Sequence, residues 1–321
     1  MTGLRYDPEY YKAIGSPPIG PRSDPPQTVH QLRSGIESTI QNFVTNSPYP
    51  LGVKETVYTV KSSDGAEIEV TRFACEETIA SKERTPAVIY FHGGGFVACT
   101  VPPFAPQIAR FANDSKLPYF AVDYRLAPEY PAPAALEDAW AAIQFVSSSA
   151  AELNIDPTRI ALYGDSAGGG LAAGAALMAR DRQLNPPIAK QILVYPMLDD
   201  QYNLKEGDPY LDVLMMRPPG AKVAWDAYLS KLREGDDEQA LSYAVPARAA
   251  SLKGLPATYI DIGSLDLFRD ESLRYANRLA DDHVEVELHL WPGLPHGFDG
   301  LRELSWFKRA TESRVSALKR M

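Results

Sequence analysis

The chain has 321 residues, of which 45% are hydrophobic, and a formal net charge of −9 at pH 7. The length suits one large α/β domain, and the acidic balance argues against nucleic acid or an anionic membrane as a partner. Two cysteines are too few for a disulfide framework. We find no secretory leader, no apolar run long enough to span a membrane, and no metal motif, so we predict a cytoplasmic protein without a metal or cofactor.

The first fifty residues are predicted to form an arm followed by one helix. Prolines are frequent before residue 28, which favours irregular structure. Over 28–45, apolar residues recur at steps of three and four, as on one face of a helix: Val29, Leu32, Ile36, Ile40 and Phe43. An amphipathic helix ahead of the first strand must pack on another surface. We therefore assign 1–50 to the N-terminal part of a cap.

Strand and helix patterns alternate through the rest of the chain. Two segments around the turn Ser63-Asp64-Gly65 predict an antiparallel hairpin at a sheet edge, 53–60 and 66–73. Apolar runs predict further strands at 86–91, 119–124, 160–163, 191–195, 257–262 and 284–290. The segments between and after them predict helices at 103–113, 132–151, 170–180, 269–281 and 301–319. This alternation implies a mostly parallel sheet with helices on both faces.

One segment, 201–251, interrupts the alternation. It shows no strand pattern but is rich in bulky apolar residues: Tyr210, Leu211, Val213, Leu214, Met215, Met216, Trp225, Tyr228 and Leu229. We interpret it as an insertion of short helices above the sheet, the second part of the cap. The catalytic domain would then consist of 51–200 and 252–321.

The segment from Gly164 to Gly168 has the pattern Gly-x-Ser-x-Gly between a strand pattern and a helix pattern. This context is typical of a nucleophile elbow, a sharp turn that exposes the serine at the carboxyl end of a sheet. The flanking glycines let the backbones of strand and helix approach closely. The positive end of the following helix would point toward the serine hydroxyl. We therefore predict that Ser166 is a catalytic nucleophile.

A nucleophilic serine needs a histidine base and a carboxylate, which follow it in that architecture in the order acid, then histidine. Of the histidines downstream, His283 and His289 lie before and inside a predicted strand, whereas His296 follows the last strand in a loop rich in glycine and proline. We assign His296 as the base. For the acid we choose Asp266, just past a predicted strand. The alternatives are Asp261 within that strand, Asp270 at the next helix, and the loop pair Asp199 and Asp200.

Three consecutive glycines follow His92 directly after a predicted central strand. Without Cβ atoms their backbone N–H groups can face a ligand, and this pattern supplies oxyanion donors in lipases and esterases. We predict that the N–H groups of Gly93 and Gly94, with that of Ala167, bind the oxyanion, and that His92 braces the loop. Further residues are predicted to contact the substrate: Phe96, Asp165, Leu214, Met215 and Trp225.

With these motifs the chain resembles the hormone-sensitive lipase-like branch of the α/β-hydrolases, over about residues 85–310. The motifs that carry the resemblance are His92-Gly93-Gly94-Gly95, Tyr124-Arg125-Leu126-Ala127-Pro128-Glu129, Gly164-Asp165-Ser166-Ala167-Gly168-Gly169, Asp266-Leu267-Phe268-Arg269-Asp270 and His296-Gly297-Phe298. The resemblance implies an eight-stranded α/β-hydrolase sheet with a helical cap, a Ser166–Asp266–His296 triad, and possible homodimers through the last strand. The chain departs from the family at Leu267, where proline usually follows the aspartate.

We accordingly predict a serine carboxylesterase that hydrolyses short- to medium-chain esters through an acyl-enzyme intermediate. A deacetylase or lactonase would be a substrate variant of the same chemistry. The alternative from another class is a non-catalytic small-molecule receptor, since plant gibberellin receptors are similar to this family. Such receptors lose the histidine, whereas Ser166, Asp266 and His296 are all present here.

Overall fold

A computed structural model describes residues 4–15, 25–43, 48–202, 204–205 and 207–321. These residues form one eight-stranded sheet with strand order β1-β2-β4-β3-β5-β6-β7-β8. The strands are β1 Val53–Lys61, β2 Glu67–Cys75, β3 Thr85–Phe91, β4 Tyr119–Val122, β5 Ile155–Asp165, β6 Lys190–Val194, β7 Ala257–Leu265 and β8 Val286–Pro295. Strands β1 and β2 form an antiparallel hairpin, and β2 pairs antiparallel with β4, while β3 to β8 run parallel to one another. The predicted α/β-hydrolase sheet is confirmed.

The helices cover the sheet and extend above it. They are α1 Pro8–Ile14, α2 Val29–Phe43, α3 Glu76–Ile79, α4 Val101–Ser115, α5 Ala134–Ser148, α6 Ala167–Asp181, α7 Pro218–Leu229, α8 Glu238–Ala244, α9 Arg269–Asp281 and α10 Ser305–Leu318. Short 3₁₀ turns lie at Pro209–Asp212, Leu232–Glu234, Pro246–Arg248 and Phe298–Gly300. None of the helices so described is both long and apolar enough to cross a membrane.

The core explains why the apolar runs form central strands. All residues of β4 and β6 are buried, as are Ala87–Phe91 of β3 and Ile160–Asp165 of β5. Residues of β3 such as Val88, Ile89 and Tyr90 have no exposed surface. A continuous apolar run is what a strand buried on both faces requires, whereas Val60 is the only buried residue of the edge strand β1.

Several boundaries differ from the predictions, and two of those differences shape the site. Helix α6 begins at Ala167 instead of residue 170, immediately after the serine, because its glycines are accommodated by close backbone packing. Strand β8 runs to Pro295 instead of residue 290, so that His296 follows the strand directly. Helix α10 begins at Ser305 instead of residue 301, after a 3₁₀ turn. The predicted end of the first long helix, 44–45, lies outside the described residues.

Candidate active site

Ser166 lies at the turn between β5 and α6, beyond the carboxyl edge of the parallel strands. Its backbone has φ 56° and ψ −119°, a conformation that is costly for a residue with a side chain. Two bonds hold it: the Ser166 N–H donates to Val194 O at 2.9 Å, and Ser166 O accepts from Met197 N at 3.0 Å. The neighbouring strand β6 and the loop after it therefore hold the serine in its strained position.

The two glycines of the elbow are required by close packing, as the sequence predicted. A Cβ atom at Gly164 would lie 2.0 Å from Gly168 O, and one at Gly168 would lie 2.0 Å from Phe91 O. No side chain fits at those separations without moving the backbone. The glycines thus let α6 start directly above the strands, with the positive end of its dipole beside the serine hydroxyl.

His296 connects Ser166 to Asp266. Its Nδ1 lies 2.8 Å from Asp266 Oδ2, and its Nε2 lies 3.0 Å from Ser166 Oγ. Because an ionised carboxylate only accepts hydrogen bonds, Nδ1 carries the ring proton and Nε2 is free to accept the serine proton. Asp266 has no exposed surface and also accepts the N–H of Phe268 at 2.9 Å. The predicted serine, acid and histidine are brought together in the order that general-base activation requires.

The other candidate acids have different partners. Asp261 binds the guanidinium of Arg314 at 2.8 Å, and Asp270 binds its neighbour Arg269. The loop pair does the same: Asp199 faces Arg274, and Asp200 binds Arg233 and Arg248. Of the other downstream histidines, His289 pairs with Glu287, and His283 lies in a turn with φ 61°. Geometry therefore favours the choice of Asp266 and His296 among the alternatives.

The electrostatic environment of His296 combines two opposing effects. Burial lowers its pKa, but the charge and hydrogen bond of Asp266 outweigh burial, so the pKa is raised above the usual 6.5. The negative charges of Asp299 and Asp165 act in the same direction. The site therefore stabilises the protonated imidazolium that forms when the histidine accepts a proton.

The structure of the glycine loop differs from the prediction at one oxyanion donor, Gly93. The Gly93 N–H donates to Asp165 Oδ2 at 3.1 Å, so this single donor is already used and the prediction for Gly93 is wrong. Within the described residues, the N–H groups of Gly94 and Gly95 have no hydrogen-bond partner. Both glycines have positive φ, 130° and 64°, and a Cβ at Gly94 would lie 2.1 Å from Ala98 O. Gly95, not Gly93, thus joins Gly94 as a free donor of the loop.

Asp165 has a role that the sequence did not predict. Its Oδ1 accepts the Tyr90 hydroxyl at 2.5 Å while Oδ2 accepts Gly93 N–H, so the carboxylate fastens the glycine loop to the elbow. Burial raises the pKa of Asp165 to about 6. These contacts point the carboxylate into the protein and differ from the substrate contact that we predicted. Tyr90 carried no signal beyond its place in an apolar run.

His92 braces the loop from the other side, in agreement with the prediction. Its Nδ1 lies 2.7 Å from Gly93 O, and its ring stacks on Tyr124 with centroids 4.4 Å apart. The Tyr124 hydroxyl in turn donates to His92 O at 2.7 Å. Burial lowers the pKa of His92 to about 4, so the ring is neutral near pH 7 and packs in the interior without a charge.

The remaining residues that were predicted to contact the substrate fall into two groups. Phe96 and Trp225 are buried together, with ring centroids 5.3 Å apart, and Phe96 stacks in parallel on Tyr228 at 4.0 Å. Trp225 Nε1 donates to the Tyr202 hydroxyl at 2.8 Å, which holds the indole in place. Leu214 is fully buried, whereas Met215 is exposed on the surface. The structure thus brings Phe96 and Trp225 together but separates Met215 from them.

Helices α2 and α7 lie directly over the glycine loop. The nearest atoms to a Cβ built on Gly95 are Ala224 Cβ at 3.4 Å and Ile36 Cδ1 at 3.7 Å. Helix α2 and helix α7 also meet each other, since Leu32 Cδ1 lies 3.7 Å from the same position on Gly220. Helix α2 and helix α7 therefore together cover the N–H groups of Gly94 and Gly95.

No cluster of three or more His, Cys, Asp or Glu side chains suited to a metal occurs among the residues placed by the structure. The site consists of a serine at the carboxyl edge of the sheet, a histidine whose protonated form is stabilised by a buried carboxylate, and two loop N–H groups without a hydrogen-bond partner. On a doubly wound sheet with a strand–turn–helix serine, this arrangement defines the class of α/β-hydrolases.

Comparison with known proteins narrows the class. The family model for the alpha/beta hydrolase fold matches residues 88–300. Esterase LipI of Mycobacterium tuberculosis is 40% identical over 235 residues, 72% of this chain and 71% of the relative. Carboxylesterase NlhH of the same species is 36% identical over 219 residues, 68% and 67% of the two chains. The solved structure of a bacterial heroin esterase superimposes with a TM-score of 0.86 at 32% identity, covering 98% of each chain.

The chain therefore belongs to the α/β-hydrolase fold family. Within that family it is a carboxylesterase, an enzyme that hydrolyses carboxylic esters.

Proposed function

We propose that this carboxylesterase hydrolyses short- to medium-chain esters of small molecules through an acyl-enzyme on Ser166. The observation that carries the proposal is the continuous contact from Ser166 Oγ through His296 to Asp266, at 3.0 and 2.8 Å. His296 Nε2 takes the hydroxyl proton as Oγ attacks the ester carbonyl, and then gives that proton to the leaving alcohol. Water, activated by the same nitrogen, releases the acid and restores the serine.

We assign the oxyanion donors as the N–H groups of Gly94, Gly95 and Ala167. The first two have no hydrogen-bond partner within the described residues, and the third is the first N–H of α6. Donors that are already oriented need no rearrangement when the carbonyl oxygen becomes negative, which is why such sites lower the barrier. Asp165 and His92 support this assignment because they hold the loop from its two sides.

The pH dependence of the reaction tests the role of His296. Because only the neutral imidazole accepts the serine proton, and because Asp266 raises the pKa of His296, we expect kcat/KM to fall below an apparent pKa that lies above 6.5. The measurement is a pH–rate profile with a soluble ester. In Asp266→Asn the limb should move to lower pH. A limb near 6 that persists in this variant would instead point to Asp165, whose pKa is about 6.

The cap supports a limit on substrate size. We propose that segments 1–50 and 201–251 together form the cap and that 51–200 and 252–321 form the catalytic domain. Phe96, Trp225 and Tyr228 are each buried, with aromatic rings in contact above the glycine loop. Each methylene of an acyl chain gains roughly 0.8 kcal/mol only while apolar space remains. Such a packed wall therefore sets an upper length.

We expect hydrolysis of p-nitrophenyl esters to rise over the first few carbons and to decline beyond about eight, the point where the gain of roughly 0.8 kcal/mol per methylene ends. Steady-state kcat/KM across the series measures this, and activity on emulsified triolein is the control. Truncation of the wall by Trp225→Ala should move the optimum to longer chains. If triolein is the best substrate of the wild type, the cap is a mobile lid and the proposed size limit is wrong.

Two further predictions concern assembly and location. Leu288 and Leu290 are exposed on β8, the edge strand of the sheet, which supports a homodimer through that edge. A cytoplasmic location stays a prediction from the sequence.

The alternative of a non-catalytic receptor has no observation in its favour, since His296 contacts both Asp266 and Ser166.

A further inference from the structure

Behind His296 lies a buried polar network that the triad does not include. Arg314 of α10 is almost fully buried and binds two carboxylates: its Nε lies 2.8 Å from Asp261 Oδ2, and its Nη1 lies 2.5 Å from Asp299 Oδ2. Asp299 also accepts the Tyr195 hydroxyl at 2.8 Å. A guanidinium and two carboxylates are costly to remove from water, and the ion pairs and hydrogen bonds among them offset that cost.

Asp299 is joined to His296 by a short piece of backbone. It lies in the 3₁₀ turn Phe298–Gly300, three residues after the histidine, and Gly300 N–H donates to Gly297 O at 3.0 Å. Arg314 holds this turn against β7 through Asp261. The histidine therefore lies between two fixed points, since Asp266 binds its ring and the turn that follows it is held through the Asp299 carboxylate.

Tyr195 provides the second connection. Its ring packs edge-on against the His296 ring, with centroids 4.8 Å apart and planes at 64°, while its hydroxyl binds Asp299. The Tyr195 backbone has φ 34°, a strained value for a residue with a side chain, and is held by a 2.7 Å bond from its N–H to Asp261 O. The network thus fixes both the turn after the histidine and one face of its ring.

The network also acts by charge. Three carboxylates raise the pKa of His296 against the effect of burial: Asp266 in direct contact, and Asp299 and Asp165 at longer range. The other groups that face the ring are the hydroxyl of Ser166 and the rings of Tyr195 and Phe268. Arg314 is shared between Asp261 and Asp299, so its single positive charge does not cancel both.

We infer that Asp299, held by Arg314 and Tyr195, is a positioning residue that orients His296 and stabilises its imidazolium form during ester hydrolysis. The inference rests on the proposed triad, because it assigns a partner to the histidine of that triad. Asp299 does not touch the reacting atoms and acts only through the turn, the tyrosine ring and its charge.

The test is the Asp299→Asn variant, which keeps the shape of the side chain but removes its charge. We expect kcat to fall about tenfold, and the acid limb of kcat/KM to shift down by about half a pH unit, less than a carboxylate in direct contact would cause. Tyr195→Phe keeps every charge and removes one hydrogen bond. It should lower kcat by about threefold without moving the limb.

The matched control is Asp138→Asn. Asp138 is a fully buried carboxylate that pairs with Arg125 at 2.7 Å, and it does not face His296. We expect it to lower the melting temperature as Asp299→Asn does, while the acid limb and kcat per titrated site stay at wild-type values. Active-site titration with an organophosphonate counts the folded enzyme in each sample.

The inference is overturned if Asp299→Asn loses stability but keeps the wild-type limb and kcat per titrated site, since the network would then be structural only. If Asp299→Asn does not fold, a wild-type kcat in Tyr195→Phe overturns it, and a threefold loss supports it. A wild-type enzyme that hydrolyses esters without phosphonate labelling of Ser166 contradicts the proposed function itself, independently of both variants.

Discussion

Replacement of Ser166 by alanine is expected to lower kcat by about 10⁵- to 10⁶-fold, with a small residual rate from oxyanion binding and substrate positioning. The reason is structural, because His296 Nε2 lies 3.0 Å from Ser166 Oγ. Among the residues that the structure describes, no other hydroxyl is hydrogen-bonded to this nitrogen. Without Oγ the acyl-enzyme cannot form. The fold should survive, because the elbow is held by backbone bonds to Val194 and Met197 that alanine retains.

The measurement combines ester hydrolysis with intact mass after treatment by an organophosphonate. Wild type should gain one adduct, mapped to Ser166, and lose activity in step with labelling. Ser230→Ala is the matched control and should behave as wild type, because Ser230 directly follows α7 and its hydroxyl donates to Ala227 O. A full loss of activity with the adduct on a different serine would contradict the assignment of the nucleophile.

Replacement of Asp266 by asparagine is expected to lower kcat by about 10³- to 10⁴-fold. The asparagine amide can donate to His296 Nδ1, which moves the ring proton to Nε2 and leaves no acceptor for the serine hydroxyl. The variant also removes the largest influence that raises the pKa of His296 against burial. Because the wrong tautomer leaves Nε2 unable to accept a proton even when the ring is neutral, activity should stay low at alkaline pH as well.

Two variants serve as controls for the acid. Asp270→Asn changes an exposed carboxylate that binds Arg269, and Asp199→Asn changes one that faces Arg274. Each should cost less than tenfold in kcat, because neither carboxylate contacts the histidine. A greater loss in Asp199→Asn than in Asp266→Asn, with both proteins folded, would show that the acid was assigned to the wrong loop.

Local patterns were sufficient for most of the fold. Continuous apolar runs correctly marked the buried strands, and the alternation of strand and helix patterns implied the parallel sheet. Boundaries were less accurate where tertiary packing decides them. Helix α6 starts at Ala167 because Gly168 and Gly169 fit against the backbones of Phe91 and Pro196, which lie on other elements. Helix propensity alone places glycines outside a helix.

In the oxyanion loop too, the sequence predicts the loop, but tertiary contacts decide which of its atoms are free. The three glycines after His92 are visible in the sequence, and they mark a loop whose N–H groups can face a ligand. Which of those N–H groups is free depends on Asp165, more than seventy residues along the chain, whose carboxylate takes the donor of Gly93. That contact exists only when β3 and β5 are paired, so no local pattern distinguishes Gly93 from Gly95.

The sequence by itself determined the α/β architecture and the esterase class, and it predicted Ser166, Asp266 and His296 as the triad, because each depends on short-range spacing that the chain carries wherever it folds. Only the tertiary structure decided the free oxyanion donors, the role of Asp165 and the network of Asp299, Tyr195 and Arg314. Those features arise where segments that are distant in sequence meet in the buried interior. The hydrogen bonds and charges there depend on residues that are neighbours only in the folded protein.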